Sequence, residues 1–192
     1  EGAGALAAAP SAPSAAASAA APALAPAPVP AAPLPEGGIA LKLFDGTVAW
    51  NFAKNTGEGS FTLTKDPEGR GVGVMAYDFS TAKAQSTPYV LASAPIAVPG
   101  GTGISMLVRT PIPQRLTFRV VDGTGQTLQY KTKTKAAGQW EAIRFPLDKK
   151  LEHWDGANDG FPHFPLKSIV FSVPQPAEAS QGAVEYAEAV AK

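Results

Sequence analysis

Residues Gln114 to Gln139 restrict the fold more than any other stretch of the chain, because two runs of alternating apolar and polar residues are joined there by Asp122-Gly123-Thr124-Gly125. In the first run Leu116, Phe118 and Val120 alternate with Thr117, Arg119 and Val121. In the second, Leu128 and Tyr130 alternate with Thr127, Gln129 and Lys131. A period of two puts each set on one face of a strand. Asp tolerates left-handed geometry and the two glycines reach positive φ without a Cβ clash, so the linking residues suit a tight hairpin turn. The expected hairpin has an apolar face and a polar, cationic face carrying Arg119, Gln129 and Lys131. That second face suits either a polar ligand or a solvated exterior.

The chain divides by composition. Residues Glu1 to Pro35 hold 17 Ala and 8 Pro, no aromatic residue and one charge, at Glu1. Such a segment has nothing to bury. Alanine favours helix, but the prolines from Pro10 onward remove donors and clash with preceding turns, so a disordered, extended tether is expected over 1–36. The same prolines argue against a membrane span. The small-residue runs resemble the region before a signal-peptide cleavage site, so a secreted or cell-envelope location is the expectation. From residue 37 to 192 the chain is long enough to bury roughly 70% of its unfolded surface as one domain. Formal net charge is zero, which argues against a nucleic-acid partner. Cysteine is absent, which excludes disulfides, thiolate metal sites and cysteine nucleophiles.

Short strand-like segments punctuated by turns fill the rest. Ile39, Leu41 and Leu43 alternate before Asp45-Gly46; Val48 to Phe52 holds Trp50; Ser60 to Thr64 precedes the turn Asp66-Pro67-Glu68-Gly69. Gly71 to Phe79 is apolar on both sides, as a central strand is. Thr81 to Thr87 has room for one helical turn, and Tyr89 to Val98 is an apolar run broken by Pro95. Ile104 to Arg109 follows, then the crossing Pro111-Ile112-Pro113, which proline keeps out of a sheet. After the hairpin, Trp140 opens a strand through Ile143, Phe145 and Leu147 but stands out of phase with them unless a bulge intervenes. Leu151 to Pro165 reads as a loop, Leu166 to Val173 and Gly182 to Val190 as strands. About nine or ten antiparallel strands with almost no helix predict an all-β fold, and their number over this length fits a jelly-roll β-sandwich.

Six segments carry a family resemblance: Trp50-Asn51-Phe52, Tyr77-Asp78-Phe79, Leu116-Thr117-Phe118-Arg119-Val120, Gly138-Gln139-Trp140, Phe145-Pro146-Leu147 and Gly182-Ala183-Val184-Glu185-Tyr186. In that order they resemble the galactose-binding-domain-like jelly rolls. Those occur as carbohydrate-binding modules and as accessory domains tethered to bacterial glycoside hydrolases and polysaccharide lyases. The resemblance implies a noncatalytic module recognising a poly- or oligosaccharide, linked to or associated with a glycoside hydrolase. The alternatives are a structural or protein-docking sandwich packed against a catalytic partner, and a polysaccharide-active enzyme.

Two surfaces compete for the ligand. The loop segment His153-Trp154-Asp155-Gly156-Ala157-Asn158-Asp159-Gly160 offers Trp154 as an apolar plane and His153, Asn158 and Asp159 as hydrogen-bonding partners, the mixture a sugar requires. Its structural alternative makes Trp154 a plug and uses Asp155 and Asn158 as turn formers ahead of glycines. The hairpin face offers Arg119, Gln129 and Lys131 but no aromatic in phase with them, so the loop ranks first. Trp50 and Trp140 read as core. No carboxylate pair, activated nucleophile or phosphate-binding glycine motif is legible; His153 and His163, with Asp155 and Asp159 between them, leave a metal or a base conceivable without specifying either. Many modules of the resembled kind hold a structural calcium through carboxylates of the early loops and a pair of acids in the last strand. Asp45, Asp66, Glu68 and Glu188 are the corresponding oxygen donors here, but the last strand has Ala187-Glu188, one acid short of the pair.

Overall fold

The computed structural model describes residues 33–34, 36–82 and 87–192. The expected tether falls almost wholly outside the described residues, and most of the helical turn expected between Thr81 and Thr87 does too. The described residues form twelve strands and no helix: β1 (Ile39–Leu41), β2 (Asn51–Asn55), β3 (Glu58–Lys65), β4 (Gly71–Asp78), β5 (Tyr89–Val98), β6 (Gly103–Arg109), β7 (Arg115–Val121), β8 (Thr127–Lys133), β9 (Trp140–Pro146), β10 (Glu152–Trp154), β11 (Leu166–Pro174) and β12 (Gln181–Ala191).

They make a jelly-roll β-sandwich of two antiparallel sheets. The first runs β3-β4-β12-β6-β9, with β1 also on β12; the second runs β10-β8-β7-β11-β5-β2. From β4 onward the chain passes repeatedly from one sheet to the other, so strands distant in sequence become neighbours. The expected hairpin is β7–β8, with Phe118 opposite Tyr130 and Arg119 opposite Gln129. Its turn is fastened by Asp122, whose Oδ1 accepts from the Thr124 amide at 2.8 Å and the Gln126 amide at 3.0 Å.

Three expectations need correction. Pro95 does not break its strand: β5 continues through it, because Pro95 lies where the pairing with β11 shifts register and its missing N–H is not required. Part of the stretch Leu151 to Pro165, read as loop, pairs as β10 with β8, Glu152 opposite Gln129 and Trp154 opposite Thr127. Trp140 is buried but is not in the main core. The β6–β9 pairing carries no bulge, so its phase is real and its ring lies on the outer face of the first sheet. There it packs with Val72, Leu107, Ala187 and Leu34, and the Arg109 guanidinium lies 4.7 Å from its centroid.

The main core between the sheets is built on aromatic rings. Phe171 stacks on Tyr186 with centroids 4.5 Å apart and meets Trp50 at 5.3 Å and Phe118 edge-on at 5.7 Å. Trp50 thus belongs to the core as expected, and its indole N–H donates to the Leu43 carbonyl at 2.9 Å. Tyr186 is fully buried and its hydroxyl finds no partner among the described residues; burial accordingly pushes its pKa up. An unpartnered buried hydroxyl is a cost without a return. Tyr186→Phe is therefore expected to raise the unfolding free energy by about 1 kcal/mol, read as a higher denaturant midpoint at unchanged slope. A lower midpoint would show that the hydroxyl is bonded in the folded protein.

Candidate functional site

The outward face of the second sheet is a groove of about 650 Å³. Strand alternation builds it. Because Leu116, Phe118 and Val120 point into the core, Arg115, Thr117 and Arg119 of β7 point outward; on β8 the same logic turns Gln129, Lys131 and Lys133 outward. Cross-strand register aligns these residues in rows. Gln129 stands opposite Glu152 on one side and Arg119 on the other, and Arg119 opposite Val170. Lys131 stands opposite Thr117 and Thr117 opposite Ser172. Tyr89 enters from β5, opposite Pro174, and its half-exposed ring lines the groove.

A hydrogen-bond chain holds the polar groups in place. Arg119 Nε donates to Gln129 Oε1 at 2.7 Å, Gln129 Nε2 donates to Glu152 Oε2 at 2.8 Å, and Lys131 Nζ pairs with the same carboxylate at 2.8 Å. Hydrogen bonds from Lys131 and then Gln129 draw the Glu152 carboxyl below its ordinary pKa. Gln129 is buried within the chain, so its amide orientation is set by its neighbours, which fixes where Arg119 and Lys131 stand. Beside them the Arg119 guanidinium lies 5.5 Å from the centre of the Trp154 ring, close enough for a cation–π contact.

Sequence grouped Trp154 with His153, Asn158 and Asp159; geometry groups it with Arg119, Gln129 and Lys131. Both candidate surfaces therefore meet at Trp154, which stands at the β10 edge of the groove. His153 alternates to the other side of β10, its Nδ1 2.8 Å from the Leu151 carbonyl oxygen. Asn158 is exposed in the left-handed region at φ 53°. Asp159 works within its own loop: its carboxylate accepts from the Phe161 amide at 3.0 Å and pairs with His163 Nε2 at 2.9 Å. That loop is tied to the hairpin turn, since Gln126 Oε1 accepts from the amides of Asp159 and Gly160 and the second oxygen of Asp122 accepts from the His163 amide at 3.0 Å. Tyr89 escaped sequence analysis because it lies in an apolar run, and only the adjacency of β5 to β11 brings it to the groove.

Three of the four acids considered for calcium gather around an arginine, and the fourth stands apart. Asp66, Glu68 and Glu188 each approach the guanidinium of Arg70, at 2.6, 3.8 and 3.3 Å, while Asp45 caps its own turn by accepting from the Thr47 amide at 2.9 Å. Burial raises the Asp66 pKa, but the bonds from Arg70 outweigh it and the carboxyl titrates below its usual range. Arg70 supplies the positive charge these acids face. Among the described residues no three His, Asp or Glu side chains are placed to hold a metal ion, and these four do not fit calcium as they stand.

No helix among the described residues is long and apolar enough to cross a membrane. No family model matches the chain, and no curated protein matches it in sequence. Among solved structures, the family 11 carbohydrate-binding module from Clostridium thermocellum, in complex with a β-1,3-1,4-mixed-linked tetrasaccharide, is similar over 81% of this chain and 95% of that one, with TM-score 0.57 and 14% identity. A solution structure of CtCBM11 is similar over 81% of this chain and 96% of its own, with TM-score 0.54 and 14% identity. At such identity the likeness is one of fold, and the fold this chain shares with those modules is the jelly-roll β-sandwich.

Proposed function

We propose that this chain is a noncatalytic carbohydrate-binding module that takes a poly- or oligosaccharide in the groove of the second sheet. The observation that carries this is one rigid sheet face whose groove is lined by the accessible Tyr89 ring and by Arg119, Gln129 and Lys131, with Glu152 and the accessible Trp154 ring beside it on β10, where they hold Lys131, Gln129 and Arg119. A sugar presents apolar ring faces and a rim of hydroxyls, and needs planes and directed donors at once. Sharing a fold with a module seen in complex with a tetrasaccharide supports the same use. Glycoside hydrolysis ordinarily needs a pair of carboxyl groups across the scissile bond. Glu152 is committed to Lys131 and Gln129, and no acidic residue lines the groove among the described residues, which supports binding without cleavage. The Ala/Pro composition of the first 35 residues fits a tether to a glycoside hydrolase, and export to the polysaccharide it degrades.

Affinity electrophoresis against a panel of soluble polysaccharides tests the proposal. At least one is expected to retard the chain, and Tyr89→Ala and Trp154→Ala are each expected to weaken binding by on the order of 1 to 3 kcal/mol, about 5- to 150-fold. Both rings are half-exposed, so the accompanying loss of stability is expected to stay below the cost of removing a core aromatic. Retardation by none, with stoichiometric co-elution with a glycoside hydrolase domain, would establish the docking alternative instead; release of reducing ends would establish an enzyme.

A further inference from the structure

We infer that the groove takes an anionic polysaccharide, one bearing carboxylate or sulfate groups, and that Arg115 and Lys133 receive an anionic group; the inference rests on the carbohydrate-binding reading above. The chain as a whole is neutral, yet the groove is lined by four cations, Arg115, Arg119, Lys131 and Lys133, and by no acid among the described residues. These four fall into two kinds. Arg119 and Lys131 are held by Gln129 and Glu152 as part of the polar chain. Arg115 and Lys133 are exposed, make no ion pair with an acid among the described residues, and stand directly opposite each other across β7 and β8.

Like charges placed opposite one another in a sheet are destabilising. A local rule broken without a compensating partner in the fold marks a place where the partner comes from outside. Two further features fit a charged polymer. Arg115 and Lys133 also line an adjoining hollow of about 330 Å³, so the room around the two cations extends beyond the groove itself. The one carboxylate lining that hollow, Glu178, forms no ion pair with either cation. Along β7, Arg115 and Arg119 are about 13 Å apart at a strand's rise per residue, so positive charge is spread along the groove rather than gathered for a single small ion. A neutral glycan would cover Arg115 and Lys133 without offering them a counter-charge, which is unfavourable; a carboxylate or sulfate meets the guanidinium fork and the ammonium directly.

The test uses the full chain and its Arg115→Ala/Lys133→Ala variant in affinity electrophoresis and titration calorimetry with polygalacturonate, a sulfated carrageenan, a neutral mixed-linked glucan and single-stranded DNA. Binding to polygalacturonate or to the carrageenan, weakened by added salt, is expected, and the two polymers distinguish carboxylate from sulfate. The double variant is expected to lose about tenfold or more of that affinity, with an unchanged or raised melting temperature because the like-charge pair is gone. Binding of the neutral glucan alone, unaltered in the variant, would overturn the anionic inference and leave the carbohydrate-binding reading standing. Binding of no polysaccharide would overturn both. Binding of DNA as tight as that of the acidic glycans would overturn the inference by showing a general polyanion surface.

Discussion

Replacing Asp122 with alanine is expected to lower the stability of the domain by about 3 kcal/mol at neutral pH, a fall in melting temperature of roughly 10 °C for a domain of this size. The carboxylate is fully buried. One oxygen accepts from the amides of Thr124 and Gln126 and from the Thr124 hydroxyl, and the other from the His163 amide at 3.0 Å and Gln126 Nε2 at 3.2 Å. Removal strands several donors together, and each unsatisfied buried donor costs about 1 to 3 kcal/mol. Some of the loss is cushioned, since Gln126 Nε2 keeps its bond to the Phe161 carbonyl at 2.8 Å. Asp122→Asn separates the two ends of the brace: the amide oxygen can still serve the turn, but its NH₂ then faces the His163 N–H, donor against donor. The asparagine variant is expected to keep the hairpin and loosen the 155–163 segment that follows Trp154, so its sugar affinity should fall further than its melting temperature alone predicts.

Acid adds a second signature. Burial pushes the Asp122 pKa up, but the bonds from Thr124, the His163 amide and Gln126 outweigh it and bring the folded pKa below the ordinary value. A group whose pKa is depressed by folding contributes stability that is complete above its unfolded pKa of about 3.9 and is lost as pH falls through its folded value. Thermal melts taken from neutral pH downward should therefore show the wild type losing stability below about pH 4, with a shallower decline in Asp122→Asn. A variant that melts within a degree or two of wild type at neutral pH would show that the loop and the turn do not depend on this carboxylate.

The parts of this fold that were legible are those in which alternation reports the face directly. Leu116, Phe118 and Val120 go into the core because a strand has no other way to place every second residue, and Asp122-Gly123-Thr124-Gly125 allowed one kind of connection. Trp140 shows the limit of the same rule: its phase is clear from alternation, but alternation alone does not reveal the second apolar cluster on the other side of the sheet to which it belongs. Three residues such as Glu152, His153 and Trp154 have no measurable period. They become a strand only because β8 presents its edge to them, a fact of topology rather than of local sequence.

The grouping of the candidate-site residues was not legible for a related physical reason. Residues adjacent in sequence were grouped as though they shared a surface, yet in an extended chain neighbours point to opposite sides, so Trp154 parts from His153. Trp154 meets Arg119, and Arg119 shares the groove with Tyr89; these residues come from β10, β7 and β5, and strand order within the second sheet is what relates them. Nothing local to Tyr89 distinguishes it from the apolar run it begins. Its partner in register, Pro174, lies 85 positions later in the chain, and no periodicity spans that interval.

Phe171→Ala is expected to cost about 3 to 5 kcal/mol. The ring is fully buried and sits between the two sheets, stacked on Tyr186 at 4.5 Å and touched by Trp50, Phe118 and Phe44. Those neighbours are themselves large and mutually constrained, so they can collapse into the space only in part, and cavity cost adds to lost burial. Phe171→Leu keeps more of the volume and should recover a good part of the loss. The same strand carries Val170 and Ser172 on its outward side, which makes this substitution a control for the groove. Removing the ring beneath leaves every groove side chain in place. At a temperature where the variant is still folded, affinity for polysaccharide should therefore change far less than in Tyr89→Ala, while the melting temperature falls much further. A Phe171→Ala variant that stays stable but loses binding would place the ligand in the core-facing layer and remove the outward face of the second sheet from consideration.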